Sequence, residues 1–255
     1  MTTDADDNLI SIPTPDQAAR RLLCLMSLAA RAFFEGQLRS EDPDEREEGG
    51  RQIDGLRRWL EQEDLLRHFS AAERPLAEKP PGEWNDRDRI NSSWRAESAG
   101  VIAWSSRLVE SIPPYDTEFR PRGIIEAIPQ TGEPTAEWIS AAAFRCEDDI
   151  AEAREIAEFW LWRSRTMRLQ ADADKHPKPT PPAKYLEYVR SAAKTGESNG
   201  WFTMIDDDFP AFGKAYANLS PAEHSRATSI AQERLWGLNW IRGYEADWDE
   251  VPLDT

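Results

Sequence analysis

Apolar residues recur at helical spacing along most of the chain. In TPDQAARRLLCLMSLAARAFFEGQL, Thr14 is placed to cap a helix and Pro15 suits its first position. Leu22, Leu25, Met26, Ala29, Ala30 and Phe33 then fall on one side. The acid-rich EDPDEREE leads into a second helix that Asp42 caps and Pro43 starts, with Ile53, Leu56, Trp59 and Leu60 inward. Ser70 with Glu73, and Ser220 with Glu223, match the capping box, in which two side chains satisfy the first free N–H groups of a helix.

From Asn85 to about Val109 the positions Ile90, Trp94, Glu97, Val101, Trp104 and Leu108 alternate steps of four and three, so one apolar face carries a carboxylate at its middle. A further long helix is predicted over 135–170, with Ile139, Ala142, Cys146, Ile150, Ala153, Ala157, Trp160 and Met167 inward. HPKPTPPAK then predicts an extended internal loop near 172–183, because each Pro removes a backbone donor and fixes φ. A helix around 184–194 and a last one from Ser220 to about Gly243 flank a weakly patterned stretch, with room for one short hairpin in 201–219. The expected fold is mainly α, a single compact multi-helix bundle with long loops. Residues 1–13 are read as a flexible N-terminal tail and 14–255 as a single helical domain.

Charge narrows the partners. Lys and Arg number 31 against 47 Asp and Glu, a formal net charge of −16. Such a chain lacks the basic density that neutralises phosphates, and an anionic membrane surface repels it, so neither nucleic acid nor membrane is expected as a partner. A basic protein is. The N-terminus MTTDADDNLISIPTPDQ has no positive region followed by an apolar one, and no apolar run approaches the ~18 residues of a membrane span, so a cytoplasmic location is expected. Cys24 and Cys146 lie in helical patterns without a CxxC pair and are read as small buried apolar residues.

Three carboxylates sit beside Trp on core-leaning faces: Glu97 with Trp94 and Trp104, Glu158 with Trp160 and Trp162, and Glu233 with Trp236 and Trp240. A buried carboxylate must be paired, hydrogen-bonded or protonated. One reading is an acid/base group or a carboxylate metal site within a bundle. None of His68, His176 and His224 follows a Glu by three positions, however, so the usual helical di-iron pattern is missing. The other reading, which takes precedence, pairs these Glu with Arg95, Arg163, Arg165 or Arg234 and lets them accept indole N–H bonds. Trp94, Trp104, Trp160 and Trp240 are the candidate aromatic lining, and Glu97, Glu158, Arg163, Arg165 and Glu233 the candidate polar cluster.

GESNG, residues 196–200, matches the Gly-x-Ser-x-Gly nucleophile pattern, but that pattern acts on a strand-to-helix turn and here a helix precedes it. Gly196 closing a helix and Ser-Asn-Gly forming a turn explain it. Asp206, Asp207 and Asp208, with His224, could hold a cation; an exposed acidic loop is the expected reading. No Gly-rich phosphate loop or HExxH is present, and neither a cofactor nor a metal is expected.

The ending ERLWGLNWIRGYEADWDEVPLDT resembles that of the domain of unknown function 4272 family, in its Glu-Arg pair before Leu-Asn-Trp and its Trp-Asp-x-Val-x-x-Asp-Thr close. WRAESAGVIAWSSRLVESIPPYDT, FRCEDDIAEAREIAEFWLWRSRT and LSPAEHSRATSIAQER are similar to further stretches of it, so the resemblance runs from about Gln17 to Thr255. It implies one helical unit and assigns no activity. Gly237 departs from the Ala expected before Leu-Asn-Trp, which implies either a closely packed neighbour or a weaker last helix.

The functional expectation is a non-enzymatic, acidic protein-binding module in an immunity, adaptor or assembly role. The alternatives are a hydrolase or metal-assisted enzyme using the buried carboxylates, and a small-molecule binder with a Trp-lined pocket. The closing segment is expected to act as a structural clasp: Leu235, Leu238 and Ile241 point into the core, Trp248 and Val251 fold back over a helix end, and Asp247, Asp249 and Asp254 face outward or anchor the turn.

Overall fold

Helix α1 (Pro15–Gln37) starts where its capping residues require: Thr14 Oγ1 accepts from the Gln17 N–H, and the Gln17 side chain accepts from the Thr14 N–H. The structure, a computed structural model, describes residues 12–173 and 182–253. Residues 18–28 of α1 are buried almost without a break because the helix is covered on two sides. Ala18, Leu22, Leu25 and Met26 enter a larger core, and Ala19, Leu23, Cys24 and Leu28 enter a smaller one. Phe33, expected inward, is 65% exposed: it lies on the open side of the last turns of α1, whose Arg31, Ala32 and Glu35 are the buried residues.

The smaller core is closed by α2 (Pro43–Gln62), whose Ile53, Leu56, Trp59 and Leu60 are all buried. The short α3 (Arg74–Glu78) follows. The expected box at Ser70 is only half formed. Ser70 Oγ accepts the Glu73 N–H, but the Glu73 carboxylate turns inward to Arg21 instead of back to Ser70.

Helix α4 (Asp86–Ser105) is capped reciprocally by Asn85 and Asp88 and packs against α1. Its run from Ala96 to Ala103 is buried on every side, so the helix occupies the centre of the larger core. Ile90, at its exposed start, is 52% accessible, against expectation. The helix stops at Ser105 rather than near Val109 because Arg107 takes a left-handed backbone (φ 61°). There the Leu108 N–H returns to the Ala103 carbonyl, a common way for a helix to end.

After α5 (Pro121–Ile125) comes α6 (Ala136–Ser140), which a non-helical stretch at 141–146 separates from α7 (Glu147–Ala173). The single helix expected over 135–170 is therefore two. Glu147, Asp148 and Asp149 fill the first turn of α7, where negative charge favours a helix start. Cys146 lies in the break and is exposed, whereas Cys24 is fully buried and its thiol pKa is pushed up to about 12 by that burial. The Pro-rich stretch lies mostly outside the described residues; α8 (Pro182–Ser198) follows it.

A minimal antiparallel hairpin, β1 (Pro210–Ala211) with β2 (Lys214–Ala215), occupies the weakly patterned stretch. The last helix, α9 (Pro221–Ile241), has the Ser220–Glu223 capping box in full. It packs on both α4 and α7. Among the described residues the fold is mainly α, and no helix is long and apolar enough to cross a membrane.

Gly237 marks a close approach of α9 to α4. A Cβ there would meet Val101 Cγ2 at 2.7 Å and the Ser98 carbonyl oxygen at 3.0 Å. Helix propensity alone makes Gly237→Ala stabilising by ~1 kcal/mol. The packing reverses the sign: the variant should lose about 1–3 kcal/mol as the helices are forced apart. Chemical denaturation of the two proteins measures this, and a gain in stability would contradict the close-approach argument.

Candidate functional site

Most buried charge in this protein belongs to pairs of one kind. Arg234 (0% exposed) donates from Nε to Glu97 Oε2 at 2.9 Å. Its terminal nitrogens reach the carbonyls of Pro113 (2.6 Å) and Thr117 (2.7 Å). Arg163 grips Asp208 with two 2.7 Å bonds, and Arg95 reaches both oxygens of Glu233 at 3.2 Å. On the α1 side Arg21 pairs with Glu73, and Arg31 pairs with Glu35 at 3.2 Å. Each guanidinium also lies over an aromatic ring: Arg234 over Tyr115 (4.8 Å), Arg163 over Tyr216 (4.8 Å), Arg95 over Trp236 (4.8 Å), Arg21 over Trp248 (4.1 Å) and Arg31 over Trp84 (4.9 Å). A flat, weakly hydrated guanidinium satisfies a carboxylate in its plane and a ring on its face, so Arg suits this use better than Lys.

Glu97 and Glu233 are thus paired with two of the Arg expected for them, Arg234 and Arg95. Glu97 also accepts the Phe119 N–H (2.7 Å), and burial raises its pKa against the opposing pull of Arg234. Glu158 differs from expectation. It is half-buried and pairs with Arg154 one turn earlier (2.7 Å), not with Arg163 or Arg165. Arg165 lies half-buried on α7. The indole N–H groups mostly seek backbone carbonyls: Trp59 that of Glu133, Trp84 that of Leu76, Trp236 that of Trp248. Only Trp201 among the described residues reaches a carboxylate, Glu152 Oε1 at 3.2 Å.

The Asp206–Asp208 stretch is not wholly an exposed loop. Asp206 and Asp207 take left-handed backbones (φ 51° and 61°), reversing the chain so that Asp208 turns inward. There it is 5% exposed and also accepts the N–H groups of Phe209 and Ala217. His224 contacts Ser164, not these Asp. Among the described residues, no group of three His, Cys, Asp or Glu is placed to hold a metal.

Above this frame lies an open cleft of about 700 Å³. Its apolar walls come from Trp104 at the end of α4, Tyr115 in the following loop, Trp160 on α7, and Trp201 and Phe202 after α8. Tyr115 stacks flat on Trp160 (centroids 5.2 Å apart, planes 5° apart) while Arg234 lies over the Tyr115 ring, so the buried pair Glu97–Arg234 sits against the cleft floor. The Tyr115 hydroxyl is buried without a hydrogen-bond partner. Burial pushes its pKa well above the usual phenol range. Gly196 of the Gly-x-Ser-x-Gly match serves this wall: it lies within α8, and a Cβ there would stand 2.4 Å from the Phe202 ring. The left-handed turn residue is Gly200 (φ 75°).

Glu110, Asp149 and Glu152 also line the cleft, against one guanidinium, Arg145, so the lining carries a formal net charge of −2. Arg145 is held in place by the carbonyls of Trp104 (2.6 Å) and Val109 (2.9 Å), tying the end of α4 to the start of α7. Of the expected aromatic lining, Trp104 and Trp160 meet here. Trp94 is packed against the larger core elsewhere, and Trp240 lies beside a small hollow with Arg21 and His68. Sequence reading missed Tyr115, Arg145 and Trp201. The aromatic pair Trp201-Phe202 directly after Gly200, outside any helical period, was the available signal.

Fold and cleft together define a mainly α protein with an acid-rimmed aromatic recess over an interior of paired charges. The chain belongs to the family described as "Domain of unknown function (DUF4272)", whose model matches residues 3–184. The match ends before the C-terminal motif that carried the resemblance in the sequence. No match was found among curated proteins or among solved structures.

Proposed function

We propose that this chain is a non-enzymatic binding module, in an adaptor, assembly or immunity role, that recognises a basic protein partner through the main cleft. The carrying observation is the lining itself: aromatic rings beside three carboxylates, Glu110, Asp149 and Glu152, none with an ion pair among the described residues, Glu152 accepting only the Trp201 indole N–H. Aromatic faces and carboxylates both attract a guanidinium or ammonium group, and part-desolvation in a recess strengthens that attraction. The formal charge of −16 adds a long-range field that draws a cationic partner in. The enzyme alternative finds less support, because Glu97, Glu233 and Asp208 are each already committed to an Arg.

Titration with an arginine-bearing peptide, followed by Trp fluorescence and calorimetry, tests the reading. Binding should weaken markedly as salt shrinks the Debye length from ~10 Å to ~3 Å. Asp149→Asn should weaken it roughly two- to fivefold, as expected for ~0.5–1 kcal/mol from an exposed ion pair. Binding that ignores salt, or a native partner that is acidic, contradicts the proposal.

A further inference from the structure

We infer that the partner presents two cationic side chains, one on each side of Trp201. This rests on the reading of the main cleft as a cation-binding recess and specifies its occupant. A second recess of about 460 Å³ adjoins the first, lined by Glu155, Glu158, Phe159, Trp162 and Trp201. Trp201 lines both recesses and is the residue they share. Its indole is fixed by the bond to Glu152 and by edge contact with Phe159 (5.4 Å, 79°).

Acids recur along α7 at every third position, Asp149, Glu152, Glu155 and Glu158, and an α-helix turns each such step by about 60°, so the row winds from the first recess into the second. Glu158 is occupied by Arg154, which leaves Glu155 as the carboxylate of the second recess without an ion pair among the described residues. Aromatic rings accompany these acids in both recesses, Tyr115 and Trp160 in the first and Phe159 and Trp162 in the second. Two like-charged side chains on one extended segment, separated by a single residue, point the same way about 7 Å apart. That is the spacing needed to straddle one indole with a contact on each face.

The test uses the full chain and two peptides of equal length, one with a single Arg and one with Arg-Ala-Arg, titrated into wild type, Glu155→Gln and Glu61→Gln. Glu155 and Glu61 are both exposed, and Glu61 lies on α2, away from both recesses, so the second variant controls for net charge. Unchanged melting curves establish that the variants fold. The two-Arg peptide should bind wild type about two- to fivefold more tightly. Glu155→Gln should remove most of that gain while leaving single-Arg binding as it was, and Glu61→Gln should keep the gain. If both peptides bind equally, or if Glu61→Gln removes as much of the gain as Glu155→Gln, the two-pronged inference is overturned while the cation-binding reading stands. If neither peptide binds, both fall.

Discussion

Arg234→Met is expected to destabilise the protein by about 3–5 kcal/mol, the usual cost of leaving a buried charge without its partner. The variant keeps much of the side-chain volume, so the loss reports the guanidinium. Without it Glu97 faces only the Phe119 N–H, the Pro113 and Thr117 carbonyls lose their donor, and Tyr115 loses the group over its ring. In a chain of this size each kcal/mol lowers the midpoint by roughly 2–4 °C, so a fall of about 6–20 °C is predicted by thermal denaturation. Glu97→Gln should be much milder than Glu97→Ala, because Gln still accepts the Phe119 N–H and fills the site.

The same pair sets a pH dependence. Glu97 has its pKa raised in the folded state above the ordinary 4.5, so the folded protein holds that proton more tightly than the unfolded chain. Its contribution to stability is fully present below the ordinary value and is lost as pH rises through the raised one. Glu97→Gln, which mimics the protonated acid, should flatten that fall in stability. An unchanged pH profile would contradict the assignment.

Trp248→Ala should cost a similar ~3–5 kcal/mol, and removing residues 245–255 should cost at least as much. Trp248 is 4% exposed, stacks with Trp236 (6.0 Å), meets Trp240 edge to face (5.7 Å, 72°), and lies over the Arg21 guanidinium. Its carbonyl accepts the Trp236 indole N–H at 2.9 Å. Around it Asp249 accepts the Ala72 N–H (2.8 Å), and the Asn239 side chain donates to the Pro252 carbonyl (2.7 Å). The tail therefore joins α9 to the chain before α3, which is why a short segment carries so much. Thermal denaturation of the single variant and the truncation checks this; melting curves equal to wild type would make the tail a surface feature. Asp254 lies outside the described residues.

The helices were legible because their caps and apolar periods are local. Thr14, Asp42, Asn85 and Ser220 each sit at a helix start in the structure. Errors arose where a distant group decides the outcome. The period through Arg145 looks helical, but that residue is drawn out to the carbonyls at the end of α4, and the helix breaks there. Glu73 fits a cap by spacing, yet Arg21, from α1, claims it. For the site, Glu97 and Glu233 could be recognised as paired carboxylates from their place on apolar faces. The cleft could not, because Trp104, Tyr115, Trp160 and Trp201 come from separate parts of the chain, and two of them lie in loops without any period.

Carboxylates paired with buried Arg hold the frame, whereas the unpaired ones at the cleft are proposed to meet a cationic partner. Calorimetric titration of an arginine-bearing peptide into wild type, Glu97→Gln and Asp149→Asn, each shown to be folded under the conditions used, tests it most directly. The account predicts wild-type affinity for Glu97→Gln and weakened binding for Asp149→Asn. Loss of binding in folded Glu97→Gln, with Asp149→Asn indistinguishable from wild type, would contradict it.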